Sequence, residues 1–193
     1  VRVALIDRGD FAGVTSQESS NLAWGGIKYM ESFELGLVQK LCKSRNELMR
    51  AYPSTIQEIR FFTTHMRGFR HGLWKLVLGT WFYWLLGRFF TKRPRLLTRA
   101  DMAAEEPIVN LEGADGGVEY SDAYLYDNDA RFVWCFVRSA LDYGAAAANY
   151  VESLGARREP GAGGEWVVDA RDVLTDERLQ IRAKVLVNAC GPY

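Results

Sequence analysis

Three stretches of the chain show the regular hydrophobic spacing of secondary structure. Residues 1–7, VRVALID, are apolar and rich in β-branched side chains, which predicts a buried strand. Residues 33–52 place apolar side chains three and four positions apart before Pro53, which predicts an amphipathic helix. Residues 129–144 repeat this spacing and end on a glycine, a common helix stop. We therefore predict one strand and two amphipathic helices in this order.

The last third of the chain predicts further strands. Residues 145–154 indicate one strand, and residues 165–184 indicate a hairpin that turns near LTDE. Residues 184–189, KVLVNA, form a continuous apolar run that predicts a strand buried on both faces. Because strands alternate with helices, we predict an α/β fold with parallel strands. Residues 61–119 interrupt the alternation, and we interpret them as an insertion lying over the sheet.

Charge is balanced over the whole chain but unevenly distributed. The 193 residues include 24 basic and 24 acidic side chains, so net charge gives no reason to expect a nucleic-acid partner. Residues 60–100 contain no acidic side chain, and within them residues 71–95 place Trp and Phe between basic ends. This composition suits a helix in a membrane interface or a buried helix with solvated ends. The Leu and Val around the aromatics argue against a groove that stacks nucleic-acid bases.

Cysteine usage and chain ends set two further expectations. Cys42, Cys135 and Cys190 lie far apart and outside any metal-binding spacing, so we expect neither a disulfide framework nor a metal site. No uncharged apolar run reaches the roughly 20 residues that a membrane-spanning helix needs. Because the chain begins and stops within predicted strands, we expect a segment of a longer protein, whose preceding part would carry any Gly-rich phosphate-binding motif.

Side chains that could bind a ligand or take part in a reaction are concentrated at and after the end of the first predicted strand. Asp7 ends that strand, where a carboxylate can accept both ribose hydroxyls of an adenosine, although turns use Asp there too. Residues 15–32, TSQESSNLAWGGIKYMES, supply hydroxyls for a pyrophosphate and the Gly25–Gly26 pair for close approach of a flat ring. Lys28 and Tyr29 would then extend beside that ring. A Ser- and Thr-rich loop that caps a helix would have a similar composition.

These motifs resemble those of FAD-dependent glycerol-3-phosphate dehydrogenases, which are flavoproteins similar to D-amino-acid oxidase. Residues 4–31, ALIDRGDFAGVTSQESSNLAWGGIKYME, resemble the family's second strand and flavin loop. Residues 33–48 are similar to its next helix, residues 116–134 to its EYSD and DDAR segment, and residues 186–193 to its VNATGPW motif. The resemblance covers nearly the whole chain in the family's order, and it is loose only at residues 61–111.

The resemblance implies an α/β, Rossmann-like FAD-binding domain that is discontinuous in sequence and contains an inserted substrate (cap) domain. It implies a first FAD-binding part at residues 1–58, a substrate and membrane-facing region at residues 59–120, and a second FAD-binding part at residues 121–193. The cofactor-binding residues that it implies are Asp7, Thr15, Ser16, Ser19, Ser20, Asn21, Leu22, Trp24, Gly25, Gly26, Val151, Ala189 and Gly191. The residues that it implies on the substrate side are Lys28, Tyr29 and Trp24.

Three loop positions depart from the family pattern. Trp24 stands where the family has His, Lys28 where it has Arg, and Asn21 where it has Lys. Lysine offers a point charge where arginine offers a planar fork, and tryptophan lacks the imidazole that accepts a proton. We therefore still expect an anionic substrate at Lys28, and the loop offers no replacement for the base.

The function implied by the resemblance is FAD-dependent oxidation of sn-glycerol 3-phosphate to dihydroxyacetone phosphate, with electrons passed to a quinone. FAD is the expected cofactor, and the expected location is cytoplasmic, with peripheral attachment to the inner face of the cytoplasmic membrane. The segment by itself is expected to be inactive. Two alternatives stay open: an FAD enzyme that acts on another hydroxy or amino acid, and a non-catalytic membrane-associated module.

Overall fold

The computed structural model describes residues 1–161 and 163–191, which form two compact units: residues 19–128, and residues 1–18 with 129–193. The elements are β1 (Ala4–Ile6), β2 (Leu22–Ala23), a 3-10 helix (Ile27–Met30), α1 (Leu35–Ala51), β3 (Ile56–Met66), α2 (Leu73–Leu86), β4 (Arg95–Leu97), α3 (Arg99–Glu105), β5 (Ala114–Leu125), α4 (Asp129–Asp142), β6 (Ala146–Ala148), β7 (Val151–Arg158), β8 (Trp166–Asp172) and β9 (Arg178–Ala183). The boundaries predicted after residues 58 and 120 fall inside β3 and β5, and the roles assigned to those segments stay predictions.

The unit of residues 19–128 is built on an antiparallel sheet around β5. One edge of β5 pairs with β3 over nearly its whole length, and the other edge pairs with β2 and β4. Residues 61–119, which we interpreted as an insertion, supply much of this antiparallel sheet, and their position over the predicted parallel sheet stays a prediction. The Ile, Phe and Thr side chains of β3 have the strand preference that explains this outcome.

Two helices pack beside this sheet. The predicted helix at residues 33–52 is confirmed as α1, and its Val38 and Cys42 are fully buried against Tyr83 of α2. α2 buries Thr80 and Tyr83, while a series of its large apolar side chains is exposed: Trp74, Leu78, Trp81, Phe82 and Leu85. The helix thus has one buried side and one apolar exposed side, and its position in a membrane interface stays a prediction. Within the described part of the chain, every helix is too short or too polar to cross a membrane.

The unit of residues 1–18 and 129–193 contains two small sheets. β1 and β6 pair in parallel, and β7, β8 and β9 form an antiparallel meander that includes the predicted hairpin. The prediction of parallel strands therefore holds only for β1 and β6 among the described strands. The meander is antiparallel because its connections are short turns, whereas parallel neighbours need a long crossover. α4 confirms the second predicted helix, and Gly144, with φ 85°, follows its end.

Two strand predictions in this unit were wrong. Residues 145–154 form two strands rather than one, because Tyr150 adopts φ 56° and breaks the extended backbone between β6 and β7. Residues 184–189 form no strand in the described structure, and Val185 and Val187 are 74% and 79% exposed. An apolar run becomes a buried strand only when a neighbouring strand pairs with it. The described strands β1 to β9 pair with one another and not with residues 184–189.

His65 fastens the end of β3 to the segment that leads into α2. Its Nδ1 lies 2.5 Å from Oδ1 of Asp115, and its Nε2 lies 2.7 Å from the carbonyl oxygen of His71. Two acceptors around a buried ring favour the doubly protonated imidazolium. The hydrogen bond with Asp115 is the main cause that raises the pKa of His65, and the same bond lowers the pKa of Asp115.

We predict that His65→Gln loses more stability at low pH than at high pH. A raised folded-state pKa means that the stabilisation is complete below the unfolded pKa of about 6.5 and disappears as the pH rises through the folded value. Melting temperatures of the wild type and the variant should therefore differ more at pH 6 than at pH 9. Asp127→Asn, which leaves the His65 contacts in place, is the control. An equal difference at both pH values would contradict the charged state assigned to His65.

Candidate active site

The Gly25–Gly26 turn is a buried bend in the unit of residues 19–128. β2 pairs with the end of β5 and leads the chain into the turn, and the 3-10 helix Ile27–Met30 begins directly after it. Gly26 has φ 79°, a left-handed conformation that glycine adopts without the steric cost of a Cβ atom. The backbone of this turn therefore sets where the side chains of the 3-10 helix begin.

Neither glycine of the turn leaves room for a side chain. A Cβ atom at Gly25 would lie 2.0 Å from Oη of Tyr83, and one at Gly26 would lie 2.7 Å from Cδ1 of Leu41. From the sequence, we interpreted the Gly25–Gly26 pair as a place where a flat ring approaches the backbone. The fold supplies a separate reason, since the two helices beside the turn already occupy the space.

Gly25 is held by a buried cluster of polar side chains, which we call the Asp122 cluster and which comprises Asp122, Arg45 and Tyr83. The backbone N–H of Gly25 donates to Oδ1 of Asp122 at 3.0 Å, and Nη1 of Arg45 donates to the same oxygen at 3.1 Å. The hydroxyl of Tyr83 donates to Oδ2 of Asp122 at 2.8 Å and accepts from Arg45 at 3.1 Å. Cys42 completes the enclosure, since its Sγ donates to the carbonyl oxygen of Gly25 at 3.7 Å.

Burial dominates the electrostatics of the Asp122 cluster. Asp122 is fully buried, and Arg45 and Tyr83 are nearly so. Burial raises the pKa of Asp122, while the attraction of Arg45 and the hydrogen bonds that Asp122 accepts oppose the rise. Burial and the neighbouring Asp122 raise the pKa of the Tyr83 hydroxyl, so Tyr83 stays a donor at physiological pH.

The side chains predicted on the substrate side lie immediately around the turn. Lys28 and Tyr29 belong to the 3-10 helix and are exposed, while Trp24 is half-buried. The ring centroids of Trp24 and Tyr29 lie 5.9 Å apart. The ammonium of Lys28 forms no ion pair within the part of the chain that the structure describes. The loop thus places a cation that has no ion-pair partner among the described residues at an exposed position of the 3-10 helix.

The hydroxyl residues of the loop fall in both units. Ser19, Ser20 and Asn21 lie in the unit of residues 19–128, where Oγ of Ser19 accepts from the backbone N–H of Asn21 at 3.1 Å. Asn21 adopts φ 57°, and its carbonyl oxygen accepts from the N–H of Leu125 at 2.8 Å. These bonds shape the entry to β2, so part of this serine-rich segment organises its own backbone.

Thr15 and Ser16 belong to the other unit, as do Asp7 and Val151. The structure brings Asp7 and Val151 together, because the N–H of Val151 donates to the carbonyl oxygen of Asp7 at 2.8 Å. One carboxylate oxygen of Asp7 accepts from the N–H of Gly9 at 2.9 Å, and the carboxylate is exposed. Its other oxygen is without a partner among the described residues, which suits an acceptor for a ribose hydroxyl.

Ala189 and Gly191 are the predicted cofactor residues with the least structural support. Both are exposed, and they lie in the segment that forms no strand in the described structure. Gly191 adopts φ 70°, a conformation that favours glycine. The neighbouring residues 192 and 193 of the predicted motif lie outside the described residues.

Comparison with known proteins decides the family. The model of the family described as "FAD dependent oxidoreductase" matches residues 1–193, the whole chain. The chain belongs to this family. Membership confirms the predicted cofactor, FAD, and an acidic strand end with an exposed oxygen is chemistry that fits it.

Two relatives in this family share about a third of their residues with the chain. The D-erythritol 1-phosphate dehydrogenase of Brucella abortus is 33% identical over 193 residues, which are 100% of this chain and 37% of the relative. The aerobic glycerol-3-phosphate dehydrogenase of Staphylococcus aureus is 32% identical over an alignment of 197 residues. This alignment covers 100% of this chain and 34% of the relative. The chain therefore spans little more than a third of these relatives.

A solved structure gives the fold. The glycerol-3-phosphate dehydrogenase from Bacillus halodurans, complexed with FAD, superposes on this chain with a TM-score of 0.69 at 22% sequence identity. The match covers 100% of this chain and 30% of the Bacillus halodurans chain. The predicted α/β FAD-binding fold class is thereby confirmed. The predicted resemblance to this group of flavoproteins is confirmed as well.

The side chains that hold the Gly25–Gly26 turn were not among the site residues predicted from the sequence. Arg45 lies on α1 and Tyr83 on α2, far from the loop in sequence. Asp122 belongs to the EYSD segment that we recognised only as a motif. A signal was present, because a charged residue within a strand is expensive to bury without partners.

Proposed function

We propose that the protein oxidises the secondary alcohol of a phosphorylated polyol, sn-glycerol 3-phosphate, to dihydroxyacetone phosphate and passes the electrons to a quinone. Family membership supports an FAD-dependent oxidation. The relatives support the substrate class, since one is a D-erythritol 1-phosphate dehydrogenase and the other a glycerol-3-phosphate dehydrogenase. Because the chain spans about a third of those relatives, the activity belongs to the full-length protein.

The observation that carries this proposal is Lys28, which is exposed just after the Gly25–Gly26 turn and has no ion-pair partner among the described residues. A phosphate group bears charge that an ammonium neutralises, and a cation without an ion-pair partner keeps its full attraction for such a ligand.

The cofactor residues divide into two groups in this proposal. Asp7 and the backbone of Val151 bind the adenosine part of FAD, with Thr15, Ser16, Ala189 and Gly191 in the same unit. Ser19, Ser20, Asn21, Leu22, Trp24 and the Gly25–Gly26 turn bind the part that carries the flavin. FAD supplies the acceptor for the hydride that leaves the alcohol carbon. Trp24 does not take the hydroxyl proton, since an indole N–H only donates.

The alternative within enzymes is an FAD oxidase or dehydrogenase of another hydroxy or amino acid. Lys28 favours it to the extent that an ammonium pairs with a carboxylate as readily as with a phosphate, without the fork geometry of arginine. A non-catalytic, membrane-associated module is the alternative outside enzymes. The substrate therefore has to be identified by reaction.

The exposed side of α2 supports peripheral membrane attachment as a second element of the proposal. Its large apolar side chains recur three and four positions apart and so lie on one face: Trp74, Leu78, Trp81, Phe82 and Leu85. Residues 60–100 around this face are basic and lack acidic side chains. An apolar face within basic surroundings complements an anionic lipid surface, on which the protein would lie at the inner face of the cytoplasmic membrane.

We predict that sn-glycerol 3-phosphate bleaches the flavin of the full-length protein under anaerobic conditions. Oxidation of the alcohol reduces the flavin, and its visible absorbance falls. Addition of a quinone analogue should restore the absorbance. Bleaching by another hydroxy acid or an amino acid, with none by sn-glycerol 3-phosphate or D-erythritol 1-phosphate, would replace this substrate assignment with the alternative one.

We predict that Lys28→Ala raises KM for the phosphorylated substrate by about 10- to 100-fold, the equivalent of one charged hydrogen bond. The value of kcat should change little if Lys28 binds the phosphate equally in the ground and transition states. Lys28→Arg should keep KM within a few-fold. Lys40→Ala, at an exposed position of α1, is the matched control. An unchanged KM in Lys28→Ala would remove Lys28 from the substrate site.

We predict that the full-length protein floats with anionic lipid vesicles and less with neutral ones. The double substitution Trp74→Ser and Leu78→Ser should weaken flotation more than about tenfold, because two large apolar side chains no longer enter the lipid. Ile108→Ser, which changes an exposed apolar side chain on another surface, is the control. Equal flotation of all variants, or a dimer that only the double substitution dissociates, would contradict lipid as the occupant.

A further inference from the structure

The Asp122 cluster joins three elements that are distant in sequence. Arg45 comes from α1, Tyr83 from α2 and Asp122 from β5, and all three meet within hydrogen-bonding distance at one carboxylate. The fourth group at this carboxylate is the backbone N–H of Gly25, 3.0 Å away. A loop amide is therefore bonded directly to a buried ion pair.

A purely stabilising role explains this arrangement poorly. Removing two charges from water costs several kcal/mol per ion in general, and apolar side chains of similar volume often stabilise a core as well or better. Charged groups do something that apolar groups cannot, since they orient a peptide group through a strong, directional hydrogen bond. In this cluster, the peptide group so oriented is that of Gly25.

The carbonyl side of Gly25 is fixed as well. Sγ of Cys42 donates to its oxygen, so both polar groups of this residue are bonded to buried side chains. The ring of Tyr83 also fills the space beside its Cα, where a Cβ atom would lie 2.0 Å from Oη. Rotation of the Trp24–Gly25 peptide would break the bond to Asp122, and rotation of the Gly25–Gly26 peptide would break the bond from Cys42.

Arg45 is itself held in place. Its Nε and Nη2 donate to Oδ1 of Asn46 at 3.2 and 3.0 Å, and Asn46 donates to the carbonyl oxygen of Gly87 at 2.9 Å. The cluster therefore extends to the end of α2. A guanidinium with its orientation set from both sides is a rigid support for the carboxylate that it contacts.

We propose that Asp122, Arg45 and Tyr83 are positioning residues of the flavin site, which fix the Gly25–Gly26 backbone and thereby the direction in which Lys28 and Tyr29 extend. The proposal rests on the function proposed above, in which this turn lies beside the flavin. Lys28 follows Gly25 by three residues with only the glycine turn and Ile27 between them. A change in the angle of the Gly25 peptide thus moves the substrate-binding ammonium.

The test uses Tyr83→Phe in the full-length FAD-bound protein. This substitution removes the donor to Asp122 and keeps the ring that packs beside Gly25. The matched control is Tyr120→Phe, because Tyr120 packs edge-on against Tyr83 at 6.2 Å between ring centroids and is not itself hydrogen-bonded to Asp122. We expect both variants to retain FAD, and only Tyr83→Phe to change the flavin absorption spectrum and reduction potential and to raise KM for the substrate about tenfold, with little change in kcat.

Gly25→Ala provides the second arm. Its Cβ atom would meet Oη of Tyr83, so the alanine should perturb the flavin spectrum strongly in the wild type and less in the Tyr83→Phe background. Additive effects of the two substitutions would show that they act independently and would overturn the proposal. The spectrum and potential do not depend on the substrate, so this arm holds whichever substrate the protein uses.

The outcomes separate the two proposals. A wild type that binds no FAD would overturn the proposed function and this inference with it. A wild type that binds FAD, together with a Tyr83→Phe variant whose spectrum, potential and KM match those of Tyr120→Phe, would overturn this inference alone. Asp122→Asn, if it folds, should show the same spectral change as Tyr83→Phe, and an unchanged spectrum in folded Asp122→Asn would also overturn it.

Discussion

The hydrogen bonds on the buried carboxylate of Asp122 determine how the unit of residues 19–128 is assembled. They join α1 and α2 to β5 at one carboxylate. The same carboxylate binds the N–H of Gly25 in the loop that follows β2. Loss of Arg45 would leave the buried charge of Asp122 without its ion-pair partner, at a general cost of about 3–5 kcal/mol. The helices can therefore pack on β5 only in the arrangement that satisfies this carboxylate, and the Gly25–Gly26 turn follows from that arrangement.

The other unit depends on backbone pairing rather than on a buried charge. Its core consists of small apolar side chains in the meander, including Val167 and Ala170, and its parallel pair β1 and β6 carries Asp7 at the strand end. The N–H of Val151 is bonded to the backbone of Asp7, and the carboxylate of Asp7 is exposed.

The sequence pattern predicted the elements that depend on interactions between residues close together in the chain. The apolar spacing around Val38 and Val137 located both amphipathic helices, and the turn residues near Asp176 located the hairpin. The partner of a strand is a long-range property, so the apolar run around Val187 was mistaken for a buried strand and the pairing of β3 with β5 was missed. For the same reason, the loop was found from its own residues, whereas the side chains that hold it were not.

The Gly25–Gly26 turn divides its loop into positions that are closed to change and positions that are open to it. Any side chain at either glycine would collide with Tyr83 or Leu41, so natural variation at those sites has to be accompanied by changes elsewhere. Trp24 and Lys28, which depart from the family pattern, are half-buried and exposed, and nothing comparable restricts them. Divergence between related enzymes can therefore accumulate on the outward positions of this loop while its backbone is inherited unchanged.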